Sequence, residues 1–146
     1  MILTAQFNKE RLLFIVANAS PAFANCDWCV ASPLFIRFSS EEEHDARGSP
    51  LGGGKSAYWL SAVEIADMVR TDSIGFDWTD VAVICEDSSD EAVVMYVQCV
   101  DAGKMYVWTS NQGLRDKLAN NGFANSGLLE LPFGMENIKN VRKGGG

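Results

Sequence analysis

The segment from Gly48 to Ser56, GSPLGGGKS, contains the residue types that bind phosphate in nucleotide-binding proteins. In a phosphate-binding loop, a glycine and four further residues precede Gly-Lys-Ser/Thr, because backbone N–H groups wrap the phosphates and the lysine reaches the outer ones. Six positions before Lys55 stands Ser49 rather than glycine, and the preceding SSEEEHDAR is a charged run instead of a buried strand. We therefore predict a flexible linker ahead of a helix, and no nucleotide site.

Four cysteines offer redox or metal chemistry: Cys26, Cys29, Cys85 and Cys99. They are compatible with one redox pair and two core thiols, or with two disulfides. A closed zinc site needs a second close pair, whereas Cys85 and Cys99 lie far apart in apolar runs. A thioredoxin-like CxxC precedes a helix, but Cys29 continues into the strand-like VASPLFIRF. We therefore expect no catalytic or metal-binding cysteine and no cofactor.

Few groups are candidates for enzyme catalysis. His44 is the only histidine, and it lies in a polar segment among carboxylates. The chain lacks the G-x-S-x-G elbow that exposes a nucleophilic serine. A glycosidase pair cannot be chosen among 19 acidic residues without their geometry. We predict that the protein is not an enzyme, and keep a small enzyme as a third hypothesis.

Two groups of carboxylates stand out along the chain. The first acidic cluster is Glu41, Glu42, Glu43 and Asp45, and the second acidic cluster is Glu86, Asp87, Asp90 and Glu91. Carboxylate oxygens bind divalent cations, but neither cluster has the spacing and fixed glycine of an EF-hand loop. We therefore predict no metal site and interpret both clusters as partner-binding.

The charge is distributed unevenly. The chain carries a net charge of −7, residues 41–101 carry −11 and the rest carries +4. Such a field repels nucleic acid, which is bound through lysine and arginine, and attracts basic protein surfaces. We expect no direct nucleic-acid binding, in spite of the strand aromatics Tyr96, Tyr106 and Trp108.

The N-terminal half predicts strands and a loop. Apolar runs at 12–17 and 29–37 predict two strands, the second interrupted at Pro33, and 1–7 predicts a short one. Residues 39–58 are polar and rich in glycine, and they predict a long flexible loop.

The C-terminal half has clearer local signals. Ser61 and Glu64 fit a capping box, which predicts a helix over about 61–71 with Ala62, Ile65, Ala66 and Val69 on its buried face. Runs at 80–86, 91–100 and 104–109 are separated by short turns and predict an antiparallel meander.

A second helix over about 111–121 would carry Leu114 and Leu118 inward and end at Gly122. A last strand at 128–131 and an irregular tail at 133–146 complete the expected elements. The order predicts one α+β domain over 1–146, with a mainly antiparallel sheet of about six strands and two helices.

Size and charge favour a small acidic binding protein that engages a basic partner surface. Inhibitors that imitate nucleic-acid phosphates, immunity proteins and phage-encoded antagonists of host defence have this profile. The alternative is a self-assembling structural subunit, such as a virion component, in which exposed sheet edges and the irregular termini pair between copies. A monomer or a homodimer is expected for the binding protein, and large homo-oligomers are expected for the subunit.

The C-terminal sequence Lys143-Gly144-Gly145-Gly146 resembles the tail of ubiquitin-like modifiers. In that family the Gly-Gly end threads into an activating enzyme, so the resemblance implies conjugation through this tail. It covers the tail alone.

The N-terminus has some features of a secretion signal. Lys9 and Arg11 precede an apolar run, and Ala22-Phe23-Ala24 has the small-x-small form of a cleavage site. The run at 12–17 is shorter than a usual signal core, so we predict an uncleaved strand. No apolar run approaches the roughly 20 residues that span a bilayer. We expect a cytoplasmic protein without a membrane partner.

Overall fold

The computed structural model describes residues 1–86, 91–100 and 103–130, and only the backbone of Glu86, Glu91 and Ala92. These residues form an α+β fold with a mainly antiparallel sheet. The strands are β1 Leu3–Gln6, β2 Asp27–Ala31, β3 Phe35–Ile36, β4 Gly48–Gly52, β5 Lys55–Leu60, β6 Ile74–Gly75, β7 Thr79–Glu86, β8 Glu91–Val100, β9 Lys104–Thr109 and β10 Ala124–Asn125. The helices are α1 Lys9–Ala22, α2 Glu41–Arg47, α3 Ala62–Arg70 and α4 Gln112–Ala119.

Eight strands form one sheet in the order β10-β1-β9-β8-β7-β2-β5-β4, and β3 pairs with β6 in a separate ribbon. All of these described pairs are antiparallel. The predicted meander is confirmed as β7, β8 and β9, because its short connections leave only antiparallel neighbours within reach.

Helices α1, α3 and α4 cover one face of the sheet. Their buried side chains, such as Ile15, Ile65 and Leu118, belong to one apolar cluster with strand residues such as Val81 and Val97. On the opposite face, a second cluster forms from Cys29, Ala31, Ala57, Trp59, Ala82, Ile84 and Tyr96. The alternation of side chains along each strand divides the core in this way.

The capping box at Ser61 is confirmed. Its hydroxyl accepts from the Glu64 N–H at 3.1 Å, and the Glu64 carboxylate accepts from the Ser61 N–H at 2.9 Å. Helix α4 is confirmed as well, with Leu114 and Leu118 buried and Gly122 following at a φ of 93°.

The predicted strand at 12–17 is wrong, since these residues lie in α1. Asn8 caps this helix by accepting from the Arg11 N–H at 2.7 Å. Leu12, Ile15 and Ala19 are buried at helical spacing, a period that the short apolar run conceals.

The predicted loop at 39–58 is also wrong. It contains α2 and the hairpin of β4 and β5, and Lys55 begins a strand rather than a helix. The three glycines Gly52 to Gly54 have positive φ and form the hairpin turn, which explains why glycine is concentrated there.

Two further predictions differ in part. The run at 29–37 is divided between β2 and β3, with Pro33 in the break as expected. The described residues of the strand predicted at 128–131 are not a strand, and the last strand is β10. The predicted tail at 133–146 lies outside the described residues.

Candidate functional site

The end of β7 and the C-terminus of α2 lie at the same end of the sheet, which we name the acidic end. In β7, Ile84 pairs with Asp27 at the start of β2, and the next residue of β2, Trp28, pairs with Leu60 at the end of β5. Gly48, the first residue of β4, pairs with Tyr58. The β7–β8 turn and the C-terminus of α2 are therefore brought to one end by register, although they are far apart in sequence.

Helix α2 presents most of the first acidic cluster to solvent. Ser40 caps it by accepting from the Glu43 N–H at 3.1 Å. Glu41, Glu42 and Asp45 are exposed. Glu43 is half-buried and accepts from the Ser39 hydroxyl at 2.6 Å, so it also serves the local structure.

Arg47 fastens α2 to the rest of the fold. Its two terminal nitrogens donate to the two oxygens of Glu64 at 3.0 and 2.7 Å, and Nη1 also donates to the Trp59 carbonyl at 3.2 Å. Hydrogen bonding from Arg47, against the opposing effect of burial, lowers the pKa of Glu64 to about 2. The carboxylate that caps α3 therefore also holds α2.

The second acidic cluster belongs to the connection between β7 and β8. The backbones of Glu86 and Glu91 are direct cross-strand partners, and Asp87 and Asp90 lie outside the described residues. The partner-binding role of this cluster stays a prediction.

Cys26 and Cys85 form a disulfide between the start of β2 and the end of β7, across a sequence separation of 59 residues. The CxxC motif is therefore not a redox pair, and the alternative of two disulfides is wrong because Cys29 and Cys99 are free and buried. Burial raises the pKa of Cys29 to about 12 and raises that of Cys99 as well. Such thiols are poor nucleophiles.

A hollow of about 230 Å³ opens at the acidic end. Its lining residues come from β2, from β5 and the start of α3, and from Arg47: Cys26, Asp27, Trp28, Arg47, Trp59, Leu60, Ser61 and Glu64. Trp28 and Trp59 are almost fully buried and pack on opposite faces of the sheet, so the hollow lies against rigid structure. Asp27 and Glu64 contribute carboxylates to the lining, and Glu64 is paired with Arg47.

His44 is occupied by structural contacts. Its Nε2 lies 3.0 Å from the Tyr58 hydroxyl, and its Nδ1 lies 3.2 Å from Asp45. The ring also packs edge-on against Phe38. Neither pocket described here is lined by His44. Within the described ranges, no group of three or more His, Cys, Asp or Glu residues is arranged to hold a metal ion.

The opposite end of the sheet, which we name the pocket end, contains a pocket of about 320 Å³. Three connections meet there: β2–β3, the β4–β5 turn and β6–β7. Their lining residues are Ser32, Pro33, Leu34, Gly54, Lys55, Ser56, Tyr58, Asp77 and Trp78. Lys55 of the GGGKS motif thus lines a pocket even though the segment is a hairpin.

Asp80 lies near the pocket end on the face away from the helices. It accepts a hydrogen bond from the Tyr96 hydroxyl at 2.8 Å. Burial raises the pKa of Asp80 to about 6, which the Tyr96 hydrogen bond and the charge of Lys55 only partly oppose. Burial, with the Asp80 charge, also raises the pKa of Tyr96.

Sequence reasoning missed the Arg47–Glu64 pair, the hollow and the pocket. Arg47 lies 17 residues from Glu64, so no local pattern connects them. The pocket residues come from three separate segments, and only the unusual glycine run beside Lys55 marked one of them.

Comparisons of the chain with protein-family models, with curated proteins and with solved structures found no match in any of the three. None of the helices in the described part of the chain is both long and apolar enough to cross a membrane. What the protein does must therefore be inferred from its own residues.

Proposed function

We propose that the protein is a small non-catalytic binding protein whose acidic end engages a basic protein surface. The partner whose charge fits best is a nucleic-acid-binding protein. The acidic end would occupy the lysine- and arginine-rich surface with which that protein binds phosphates. The observation that carries this proposal is that strand register brings the C-terminus of α2, the helix of the first acidic cluster, to the same end of the sheet as the backbone of Glu86, although Arg47 and Glu86 are 39 residues apart in sequence.

The spacing of the clusters suits a protein interface. Two strands, β2 and β5, lie between β7 and β4. Adjacent strands are about 4.8 Å apart, so β7 and β4 are about 15 Å from each other. Several lysines and arginines of a nucleic-acid-binding face can contact carboxylates over such a width.

The hollow between the clusters supplies an anchor point. A partner arginine that enters it would come near the carboxylates of Asp27 and Glu64, which line it. Arginine is enriched among the residues that dominate binding energy. The exposed glutamates around the hollow would mainly accelerate association.

The test is capture of partners from nuclease-treated host lysate on the immobilised protein, followed by elution in a salt gradient. One variant carries Glu86→Lys, Asp87→Lys, Asp90→Lys and Glu91→Lys. The control carries lysine at four exposed acids elsewhere in the fold, Glu10, Asp67, Asp116 and Glu130, and so has the same net charge.

A basic nucleic-acid-binding protein should be retained by the native protein and by the control, and lost from the first variant. Thermal melting of that variant should stay nearly unchanged, since we expect these acids at an exposed hairpin tip, where charges contribute little to stability. Equal capture by all three proteins would remove the acidic end from the binding site.

The runner-up, a self-assembling subunit, has less support from the sheet edges. One edge strand, β4, contains Pro50, which lacks an N–H to donate, and the other, β10, has two residues. Both features oppose edge-to-edge pairing. Light scattering distinguishes the two functions, since a monomer or dimer fits the inhibitor and large assemblies fit the subunit.

The third hypothesis, a small enzyme or a ubiquitin-like modifier, has no comparable support. The Gly144–Gly146 tail lies outside the described residues, and His44 is held by Tyr58 and Asp45.

A cytoplasmic location stays part of the proposal. The Cys26–Cys85 disulfide is the observation against it, because cytoplasmic reductants oppose such bonds. Alkylation of thiols in intact cells, followed by mass spectrometry, decides between them. Alkylated Cys26 and Cys85 support the cytoplasm, and an intact disulfide supports an oxidising compartment.

A further inference from the structure

Two residues with a strained backbone conformation line the pocket at the pocket end. Three non-glycine residues in the described ranges have positive φ, and two of them, Ser32 at 56° and Trp78 at 57°, line the same pocket. A positive φ is unfavourable for a residue with a side chain, and a bulky one such as tryptophan rarely adopts it. Such strain collects at binding sites, where the surrounding structure maintains it.

Thr79 maintains the strained connections. Its side chain is buried, and its hydroxyl lies 3.1 Å from the Ser32 carbonyl and 3.2 Å from the Asp77 carbonyl. The same oxygen accepts from the Asp77 N–H at 3.1 Å. One buried hydroxyl therefore links the β2–β3 and β6–β7 connections, so both pocket walls are held in place before any ligand arrives.

The pocket wall combines one cation, one anion and an apolar surface. Lys55 and Asp77 both line it, and the ion pairs of the described residues do not join them. Trp78 is 48% exposed and Leu34 is 67% exposed at the same place. Exposed apolar side chains that lie together mark a candidate ligand-binding surface.

We propose that this pocket binds a free amino acid with an apolar or aromatic side chain. Lys55 binds its carboxylate, Asp77 binds its ammonium group, and its side chain packs on Trp78 and Leu34. The volume, about 320 Å³, lies at the small end of the range for ligand pockets. A phosphate group fits less well, because Asp77 would repel it.

The probe is L-phenylalanine, titrated by calorimetry into the full chain. Two derivatives test each charge separately: N-acetyl-L-phenylalanine lacks the ammonium, and L-phenylalaninamide lacks the carboxylate. We expect saturable binding of L-phenylalanine and about ten-fold weaker binding, or more, for each derivative, as for loss of a charge-assisted hydrogen bond.

Variants assign each charge to a residue. In Lys55→Met, phenylalanine and its amide should bind equally weakly, because the cation that distinguishes them is gone. In Asp77→Asn, phenylalanine and its N-acetyl derivative should become equivalent. Trp78→Asn should weaken all three ligands, and asparagine tolerates the positive φ at that position. Lys117→Met, an exposed lysine on α4, is the matched control and should bind like the native protein.

Absence of saturable binding by phenylalanine, leucine and tryptophan would overturn the proposal. It would also be overturned if the derivatives bound as well as the parent, or if adenosine monophosphate bound in place of the amino acids. The four-lysine variant of the second acidic cluster should bind phenylalanine normally. The proposal for the acidic end and that for the pocket therefore fail independently.

Discussion

The two ends of one sheet show different ways to make a binding surface. The acidic end gathers like charges on exposed positions, with Arg47 neutralised by Glu64 behind them. The pocket end gathers opposite charges around strained backbone that buried Thr79 holds. Like charges on a surface attract a broad opposite field at long range, whereas opposite charges in a pocket select a small molecule by contact.

The acidic end contains a disulfide bond, and its removal should have the largest effect on stability. Cys26–Cys85 crosses β2 and β7 at the acidic end. Replacing both cysteines by serine should lower the free energy of unfolding by about 4 kcal/mol, since the bond closes a loop across 59 residues. Urea denaturation with and without reductant measures this loss. The native protein in reductant should match the variant, and a midpoint indifferent to reductant would contradict the prediction.

Asp80, near the pocket end, should make the free energy of unfolding depend on pH, because its buried carboxylate is unfavourable at a pH above its pKa. Its folded pKa of about 6 exceeds the usual 3.8, so the folded state binds the proton more tightly than the unfolded state. Its contribution to stability is therefore greatest below about pH 4 and falls as the pH rises through 6, by on the order of 3 kcal/mol.

Asp80→Asn keeps an acceptor for Tyr96 and should remove this slope. Urea denaturation of both proteins between pH 4 and 8 gives the comparison. Parallel stability curves would show that Asp80 titrates normally in the fold.

Ser61→Ala removes the N-cap of α3 at the acidic end. The loss of the hydroxyl that accepts from the Glu64 N–H should cost about 0.5–2 kcal/mol. Asn111→Ala, which removes the equivalent cap of α4, is the matched comparison. Thermal and urea unfolding measure both, and a change indistinguishable from zero at Ser61 would show that the cap contributes nothing.

Glu64 should show the smallest effect and the opposite pH dependence to Asp80. Its folded pKa, about 2, lies below the usual 4.5, so its contribution is present above about pH 4.5 and is lost as the pH falls toward 2. Glu64→Gln preserves the capping box and removes the ion pair with Arg47. The cost at pH 7 should be about 1 kcal/mol, because both side chains are partly exposed and solvent screens them.

Stability of Glu64→Gln is measured by urea denaturation from pH 2 to 7. The native protein and the variant should converge toward pH 2. A difference that stays constant across this range would mean that the charge of Glu64 does not stabilise the fold.

Features set by neighbouring residues could be predicted from the sequence. The capping box at Ser61, the meander and α4 depend on spacing within a few positions, and all three are confirmed. The run at 12–17 was mispredicted because six apolar residues fit a strand or a helix equally well. Burial of Leu12, Ile15 and Ala19 against the sheet decides for the helix.

The segment 39–58 failed for a related reason. Its composition is that of a loop, and α2 is polar and short. Contacts of Arg47 with Glu64 and the Trp59 carbonyl, which lie far along the chain, hold that helix in place. The cysteine pairing likewise depends on the register of β2 against β7 rather than on the CxxC spacing.

The sequence by itself determined the α+β class, the acidic middle of the chain and the capping box of α3, because these follow from composition and short spacings. Only the tertiary structure decided which segments meet: the end of β7 and the C-terminus of α2 at one end, and Ser32, Lys55 and Asp77 around one pocket at the other. Strand order and register set these meetings, and they arise from burial of apolar side chains across the whole sheet. The types and spacing of the charged residues therefore do not indicate which of them the fold brings together.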